Sequence, residues 1–420
     1  MRFLYTLLWW LAISALPLRL WWRGRREPGY RERVGERFGR YASPAPRGDV
    51  LWIHAVSLGE TRAAAPLIER VLRERPQATL LLTHMTATGR ETGRMFAGPR
   101  VVQAWLPYDI PFAVRRFLRH FKPRAGLLME TEVWPNLLLE ARAAGIPVFL
   151  VNARLSKRSA EGYARFREFS GQVFGALAGA AAQTDDDAAR LRTLGVRDAQ
   201  RSGNLKFDLA LPDALAARAQ ALRSMIGAQR PVWVAASTRE GEEALIVDAA
   251  RARANALPAG SVTVIVPRHP QRFDPVAQLL RERGVAFARR SEGASLPAGV
   301  DVLLGDTMGE LLTYYAAADV AFVGGSLLPL GGQNLIEPIA VGTPTLIGPH
   351  TFNFAEASEQ AVAAGAAQRV SDASALIDAV GGLLRDDAAR AGLRARAQMF
   401  FAAHRGATDR LWDWLAPRLP

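Results

Sequence analysis

The 420-residue sequence predicts an α/β protein made of two Rossmann-like halves, each a doubly wound parallel sheet. Three observations predict it. From Asp49 onward, short Val- and Leu-rich runs alternate with amphipathic helical patterns, as in strands buried between two layers of helix. Around Asn204–Arg230 the rhythm loosens, with Pro212 and an alanine- and arginine-rich helix, and then restarts. The length also exceeds what one hydrophobic core normally holds.

The first element is the apolar segment Phe3–Trp22, FLYTLLWWLAISALPLRLWW. It has about the length of a minimal membrane span, and Trp9, Trp10, Trp21 and Trp22 suit the interface. Arg19 can snorkel to the headgroups. Basic residues cluster at and after the end of the segment (Arg19 within it, then Arg23, Arg25, Arg26, Arg31, Arg33, Arg37 and Arg40) more than they precede it, which argues against a cleaved signal peptide. The positive-inside rule then puts the rest of the chain on the cytoplasmic side. Spanning is the expectation; Pro17 and Arg19 weaken it and leave a helix lying in the interface as the competing reading.

The apolar runs of the first half are Val50–Val56, Thr79–Thr83, Val101–Leu106, Ala125–Met129, Val148–Val151 and Ala180–Gln183. Helical patterns at Thr61–Arg75, Phe112–Phe121, Pro135–Ala144 and Asp186–Leu194 lie between them. The second half repeats the scheme with Val232–Ala236, Val262–Val266, Val302–Leu304, Val320–Val323 and Thr345–Ile347, and after Asp372 the chain reads as helix nearly to its end. Trp412 and Trp414 read as packing anchors of a last helix. The expected division is 1–25 as anchor, 26–215 and 216–400 as the two halves, and 401–420 as a final helix, whose return to the first half is implied only by the family resemblance given below.

Composition narrows the function classes. An apolar fraction of 49% with 22% charged residues describes a folded chain, and the absence of cysteine excludes disulfides and thiolate metal sites. The net charge of +13 implies an acidic partner: nucleic acid, anionic lipid or a phosphorylated substrate. No HExxH, P-loop, GxSxG or metal-spaced set is present, so no zinc, ATP or serine-hydrolase chemistry is expected. Asp185–Asp187 reads as a helix start, not a metal grip.

Ligands of open parallel sheets bind at the carboxyl ends of the strands, and the chemistry-bearing motifs fall there. HAVSLGE (54–60) follows the first strand and places Glu60 on a helix start. There it reads both as a general base held ionised by backbone N–H groups and as the far member of a capping box with Ser57. METEVWPN (129–136) puts Glu130 and Glu132 at another strand end, suited to proton transfer or hydroxyl binding. In the second half, VPRHPQRF offers Arg268, His269 and Arg272 for a phosphate, and Ser237–Arg239 adds donors. GDTMGEL sets the loop Asp306–Gly309 before a helix. The glycine loop of FVGGSLLPLGGQNLIEP leads into a helix expected to begin at Asn334 and to carry Glu337. Its glycines read as room for close approach of a ligand, and the helix start as an anion site. GPHTFNF adds His350 and Asn353.

Taken in this order after the apolar segment, these six motifs closely resemble the 3-deoxy-D-manno-octulosonic acid (Kdo) transferases of lipopolysaccharide assembly. The resemblance covers nearly the whole chain. It implies a GT-B glycosyltransferase, with an N-terminal acceptor domain and a C-terminal CMP-Kdo domain facing a cleft, that moves Kdo to the lipid A precursor (lipid IVA) and releases CMP. By position it implies Glu60 as catalytic base and Glu130 as a second important carboxylate. It further implies CMP contacts at Arg268 and His269, at Met308, Gly309 and Glu310, and at Asn334, Leu335, Ile336 and Glu337. The family's Asn-Pro-Leu-Glu is here Asn-Leu-Ile-Glu. It also implies an inverting single displacement without metal or cofactor, at the cytoplasmic face of an anionic bacterial inner membrane and with no nucleic-acid partner. The alternatives are a GT-B transferase with a UDP-sugar donor and a basic membrane-anchored binding protein without activity.

Overall fold

The computed structural model describes residues 1–420 except Ser14, Arg26, Ala254 and Ala294, so one residue each of the apolar segment and the basic cluster lies outside the described residues. The chain forms two compact units, Met1–Asp208 with Arg405–Pro420, and Leu209–His404.

The first unit contains β1 (Val50–His54), β2 (Thr79–His84), β3 (Val101–Trp105), β4 (Ala125–Met129), β5 (Val148–Ala153), β6 (Gly179–Ala182) and β7 (Ala199–Arg201). They form one parallel sheet in the order β3-β2-β1-β4-β5-β6-β7. β1 pairs on one side with the next strand and on the other with β4, so the winding reverses between β1 and β4. The crevice at the carboxyl ends of that pair is where such sheets hold ligands. Central strands bury both faces. Trp52, Leu128 and Leu150 pack on one side against Phe117 and Phe174. Ile53, Leu127 and Val151 pack on the other against Leu67, Ile68 and the closing helix Ala407–Leu415, where Trp412 and Trp414 lie in the core as expected.

The second unit repeats the plan with β8 (Val232–Thr238), β9 (Val262–Pro267), β10 (Phe287–Arg289), β11 (Val302–Leu304), β12 (Val320–Val323), β13 (Thr345–Ile347) and β14 (Ala367–Arg369). Their order is β10-β11-β9-β8-β12-β13-β14, again all parallel, and the winding reverses between β8 and β12.

The N-terminal segment departs from expectation. It is two helices, α1 (Arg2–Ile13) and α2 (Leu16–Arg23), and among the described residues no single helix is long and apolar enough to cross a membrane. Only the pair, bent by 55°, passes that test together. Pro17 sits in the first turn of α2, where a missing N–H is tolerated but a continuous helix through it is not. The helix Thr61–Arg75 is likewise two pieces, α3 (Leu58–Ala63) and Ala65–Glu74, with Pro66 at the junction.

Candidate active site

In the first unit the two acidic motifs meet at the reversal between β1 and β4. Ser57 is the N-cap of α3, and its hydroxyl accepts the Glu60 N–H at 3.4 Å. The Glu60 carboxylate turns back to take the Val56 N–H at 2.8 Å and the Ser57 hydroxyl proton at 3.2 Å. The capping box is therefore present in shifted form: its return bond goes to the N–H of Val56, one residue before the cap, and aims the carboxyl at the strand end. Its electrostatics reverse the expected direction. Burial pushes the Glu60 carboxyl up to about 8; the Val56 N–H opposes this, and the charges of Glu132 and Glu130 push it further up. At neutral pH the group is mostly protonated, because desolvation outweighs the backbone donor.

Glu130 follows β4 directly and adopts φ 55°, an uncommon backbone for a side-chain-bearing residue that calls for a reason. Its carboxylate takes a 2.8 Å ion pair from Lys206, with both side chains largely buried. Glu132 accepts the Trp134 indole N–H at 2.8 Å, and burial raises its pKa. Three carboxyl groups thus share one crevice with one lysine opposite. His54, which opens the first motif, is not a titrating group there. It is fully buried, bonds through Nδ1 to Thr83, and burial holds it down at about 3.

Sequence reasoning missed Lys206, which comes from 76 residues further along the chain with no local signal. It also missed Asp109, a buried carboxylate that takes the Asn136 and Leu137 N–H groups and so caps the helix Pro135–Ala143 after the acidic loop. Its motif signal is DIPF before a helix, a cap-like residue that here serves a different helix.

In the second unit the strand-end loops after β8, β9, β11 and β12 carry the predicted residues. The organising group is Glu242, which sequence reasoning passed over. Fully buried, its carboxylate takes the N–H groups of Arg239 (2.9 Å), Gly325 (2.5 Å) and Leu327 (2.9 Å), clamping the glycine loop to the end of β8. Arg268 contacts Gln333 of that loop at 3.1 Å. His269 is pushed down first by burial and then by the positive charges of Arg268 and Arg239, so three potentially cationic groups face one region. Arg272 does not join them; it turns to Glu243 at 3.4 Å and Glu240 at 3.7 Å.

The glycine loop is corrected in two respects. A Cβ on Gly324 would lie 2.7 Å from Thr238 Cα, one on Gly331 2.4 Å from Asn353 Nδ2, and one on Gly348 2.2 Å from the Ser326 carbonyl oxygen. Gly324 and Gly348 let backbone pack on backbone, Gly331 packs under the Asn353 and Phe352 side chains, and the space beside all three is filled by protein. The helix begins at Ile336 and runs only to Ala340, with the Asn334 side chain accepting the Ile336 N–H at 3.1 Å and donating to Glu337 at 3.2 Å. So short a helix has little macrodipole to offer an anion. Leu335 and Ile336 are buried, backbone and side chain alike, so of this motif Asn334 and Glu337 are the residues with surface to offer a ligand. Met308 is exposed, Gly309 has φ 79° with open space beside it, and Glu310 bonds Arg290 at 2.9 Å and the Thr307 hydroxyl. Among the described residues no group of three or more His, Asp or Glu is placed to hold a metal ion.

Residues 32–209 match the family model described as 3-deoxy-D-manno-octulosonic-acid transferase (kdotransferase). Over 414 residues the chain is 48% identical to the 3-deoxy-D-manno-octulosonic acid transferase of Bordetella pertussis, covering 95% of this chain and 96% of that one. It is 38% identical over 427 residues to the enzyme of the same name from Haemophilus influenzae, covering 100% and 99%. Among solved structures, the UDP-GlcNAc 2-epimerase of Neisseria meningitidis bound to UDP-GlcNAc aligns with a TM-score of 0.59 at 16% identity, over 88% of this chain and 100% of that one, a likeness of fold alone.

Proposed function

We propose a specific reaction for this chain, which belongs to the 3-deoxy-D-manno-octulosonic acid transferase family and is a glycosyltransferase. In it, Kdo moves from CMP-Kdo to a primary hydroxyl of the lipid A precursor, lipid IVA, with release of CMP. The observation that carries this reading is Glu60, a half-buried carboxyl aimed at the sheet reversal by the Val56 N–H and the Ser57 hydroxyl, whose proton affinity burial raises to about 8. A base works best with a pKa near the working pH. As the acceptor oxygen attacks the anomeric carbon, its proton passes to Glu60. The bond to the CMP phosphate breaks in the same step, so the configuration inverts and no covalent intermediate forms. Glu130, held in place by Lys206, and Glu132, held by Trp134, face the same crevice and suit the hydroxyls of a sugar acceptor.

In this reading the second unit holds the donor. Arg268, His269 and Arg239 take up the charge that develops on the departing phosphate. Met308, Gly309 and Glu310 line the nucleotide, and Asn334 and Glu337 take the ribose, with the buried Leu335 and Ile336 packed behind them.

The same proposal sets the chain at the cytoplasmic face of a bacterial inner membrane, lying in the interface. α1 is inside out for a water-soluble helix. Arg2, Tyr5, Thr6 and Trp9 face the protein, while Phe3, Leu4, Leu8 and Leu11 are exposed. An apolar outer face beside Arg19 and Arg25 supports contact with anionic lipid.

Incubating the purified protein with lipid IVA and either CMP-Kdo or UDP-sugars tests the reaction. Kdo-bearing lipid and CMP should form only with CMP-Kdo; transfer from a UDP-sugar, or no transfer, would reject it.

A further inference from the structure

An anchor needs only the outer face of α1. The inner face makes a set of polar contacts that anchoring does not explain, and they converge on the acidic loop and its helix. Arg2 donates to Asn136 Oδ1 at 3.1 Å and to Glu140 at 2.5 Å. The Tyr5 hydroxyl donates to Asp109 at 2.8 Å, and Asn136 Nδ2 donates to Thr6 Oγ1 at 3.2 Å and to the Asp109 carbonyl at 2.8 Å. Asn136 is fully buried, so this network closes over the last residue of METEVWPN. Beside it, the Trp9 ring lies 6.4 Å from Trp134 and 5.8 Å from Tyr108. Trp134 in turn holds Glu132 through its indole N–H.

We propose that α1 is a positioning element of the acceptor loop Glu130–Asn136, acting through Trp9 on Trp134 and through Arg2 and Thr6 on Asn136. Trp9 braces the ring whose N–H fixes Glu132, and Arg2 and Thr6 pin the residue that ends the loop. Because the opposite face of the same helix meets the lipid, the carboxylates are held at a set height above the surface from which a lipid acceptor is drawn. The loop leaves β4 through the left-handed backbone of Glu130, a conformation that persists only where its surroundings enforce it. Val151, Arg154 and Lys206 hold that end of the loop, and α1 holds the other. This inference rests on the acceptor assignment proposed above.

The test uses full-length protein and acceptor dispersed in detergent, so that loss of membrane binding cannot lower the rate. Trp9→Ala should lower kcat about tenfold with KM for CMP-Kdo within twofold of wild type, and Trp9→Phe, which keeps a ring against Trp134, should restore most of it. Wild-type kcat in Trp9→Ala would overturn the proposal, as would failure of Trp9→Phe to rescue. Amide hydrogen exchange, measured without substrate, should quicken over residues 131–138 in Trp9→Ala; unchanged exchange would also overturn it. If wild-type protein moved no Kdo, the reaction assigned above would fall, and the exchange result would still decide whether α1 holds the loop.

Discussion

Replacing Glu60 by Gln separates a catalytic base from a helix cap more sharply than any other change in the molecule. Glutamine keeps the oxygen that accepts the Val56 N–H and the reach back to Ser57, so the cap survives and only the titrating group is lost. Losing a general base costs about 10²–10⁴ in rate, or about 3–5 kcal/mol of barrier, so kcat should fall by that factor with nucleotide affinity unchanged. The wild-type profile of kcat/KM against pH should rise tenfold per unit below about 8 and level off above it, since the base acts deprotonated. Stability moves the other way. Glu60 holds its proton more tightly folded than unfolded, so its contribution is complete below about 4.5 and is lost as the pH climbs through about 8. At 1.36 kcal/mol per pH unit the loss has a ceiling of about 5 kcal/mol, and partial exposure to water brings it to roughly half of that. Urea titrations should therefore show Glu60→Gln gaining about 2 kcal/mol on wild type between pH 4.5 and 8. Glu132→Gln, which removes one of the two charges pushing on Glu60, should move the acid limb to lower pH while Lys206 still offsets Glu130. An acid limb near 5 in the wild type, or more than a tenth of the rate in Glu60→Gln, would refute the assignment of Glu60 as base.

Three further outcomes follow from the second unit. Glu242→Ala orphans two buried N–H groups of the glycine loop and the Arg239 N–H after β8, and should cost about 3–5 kcal/mol in thermal unfolding, with loss of CMP binding in calorimetry. CMP bound beside Arg268 and Arg239 should raise the depressed His269 pKa, so its NMR titration should shift upward and CMP affinity should strengthen as the pH falls through the range where His269 takes up its proton. Gly348→Ala, whose Cβ would strike the Ser326 carbonyl, should lower the melting temperature far more than Gly309→Ala. The latter meets only the left-handed backbone cost of about 1 kcal/mol.

Eleven of the fourteen strands announce themselves as apolar runs, and the three that do not share a physical reason. β7 (AQR), β10 (FAR) and β14 (AQR) are three-residue strands at sheet edges. An edge strand is flanked on one side only and needs few apolar residues, so it writes little periodicity into the chain. The expectation of one continuous spanning helix over Phe3–Trp22 was not met for a related reason. Hydropathy counts residues without regard to face, and α1 hides its polar ones, Arg2, Tyr5 and Thr6, against Asp109, Asn136 and Glu140.

At the sites, position was readable and energetics were not. A parallel sheet delivers every strand-end loop to one edge, so finding Glu60, Glu130 and Glu132 together needed only strand order. The sign of the Glu60 shift needed three dimensions. A capping box lowers a carboxyl's pKa on a solvated helix, and Glu60 has that capping box, with its N–H donor at 2.8 Å. What overrides it is burial, then the charges on a loop some seventy residues away, and neither is written beside Ser57 or Val56. The glycine loop teaches the same point in reverse. Gly324 and Gly331 looked like room for a ligand, but each faces protein, and the group that shapes the loop is Glu242, a glutamate in the unremarkable run REGEE. Cap and base, cradle and packing are not rival readings at these positions. The cap aims the carboxyl proposed as base, and the packed glycines hold the loop proposed to meet the donor.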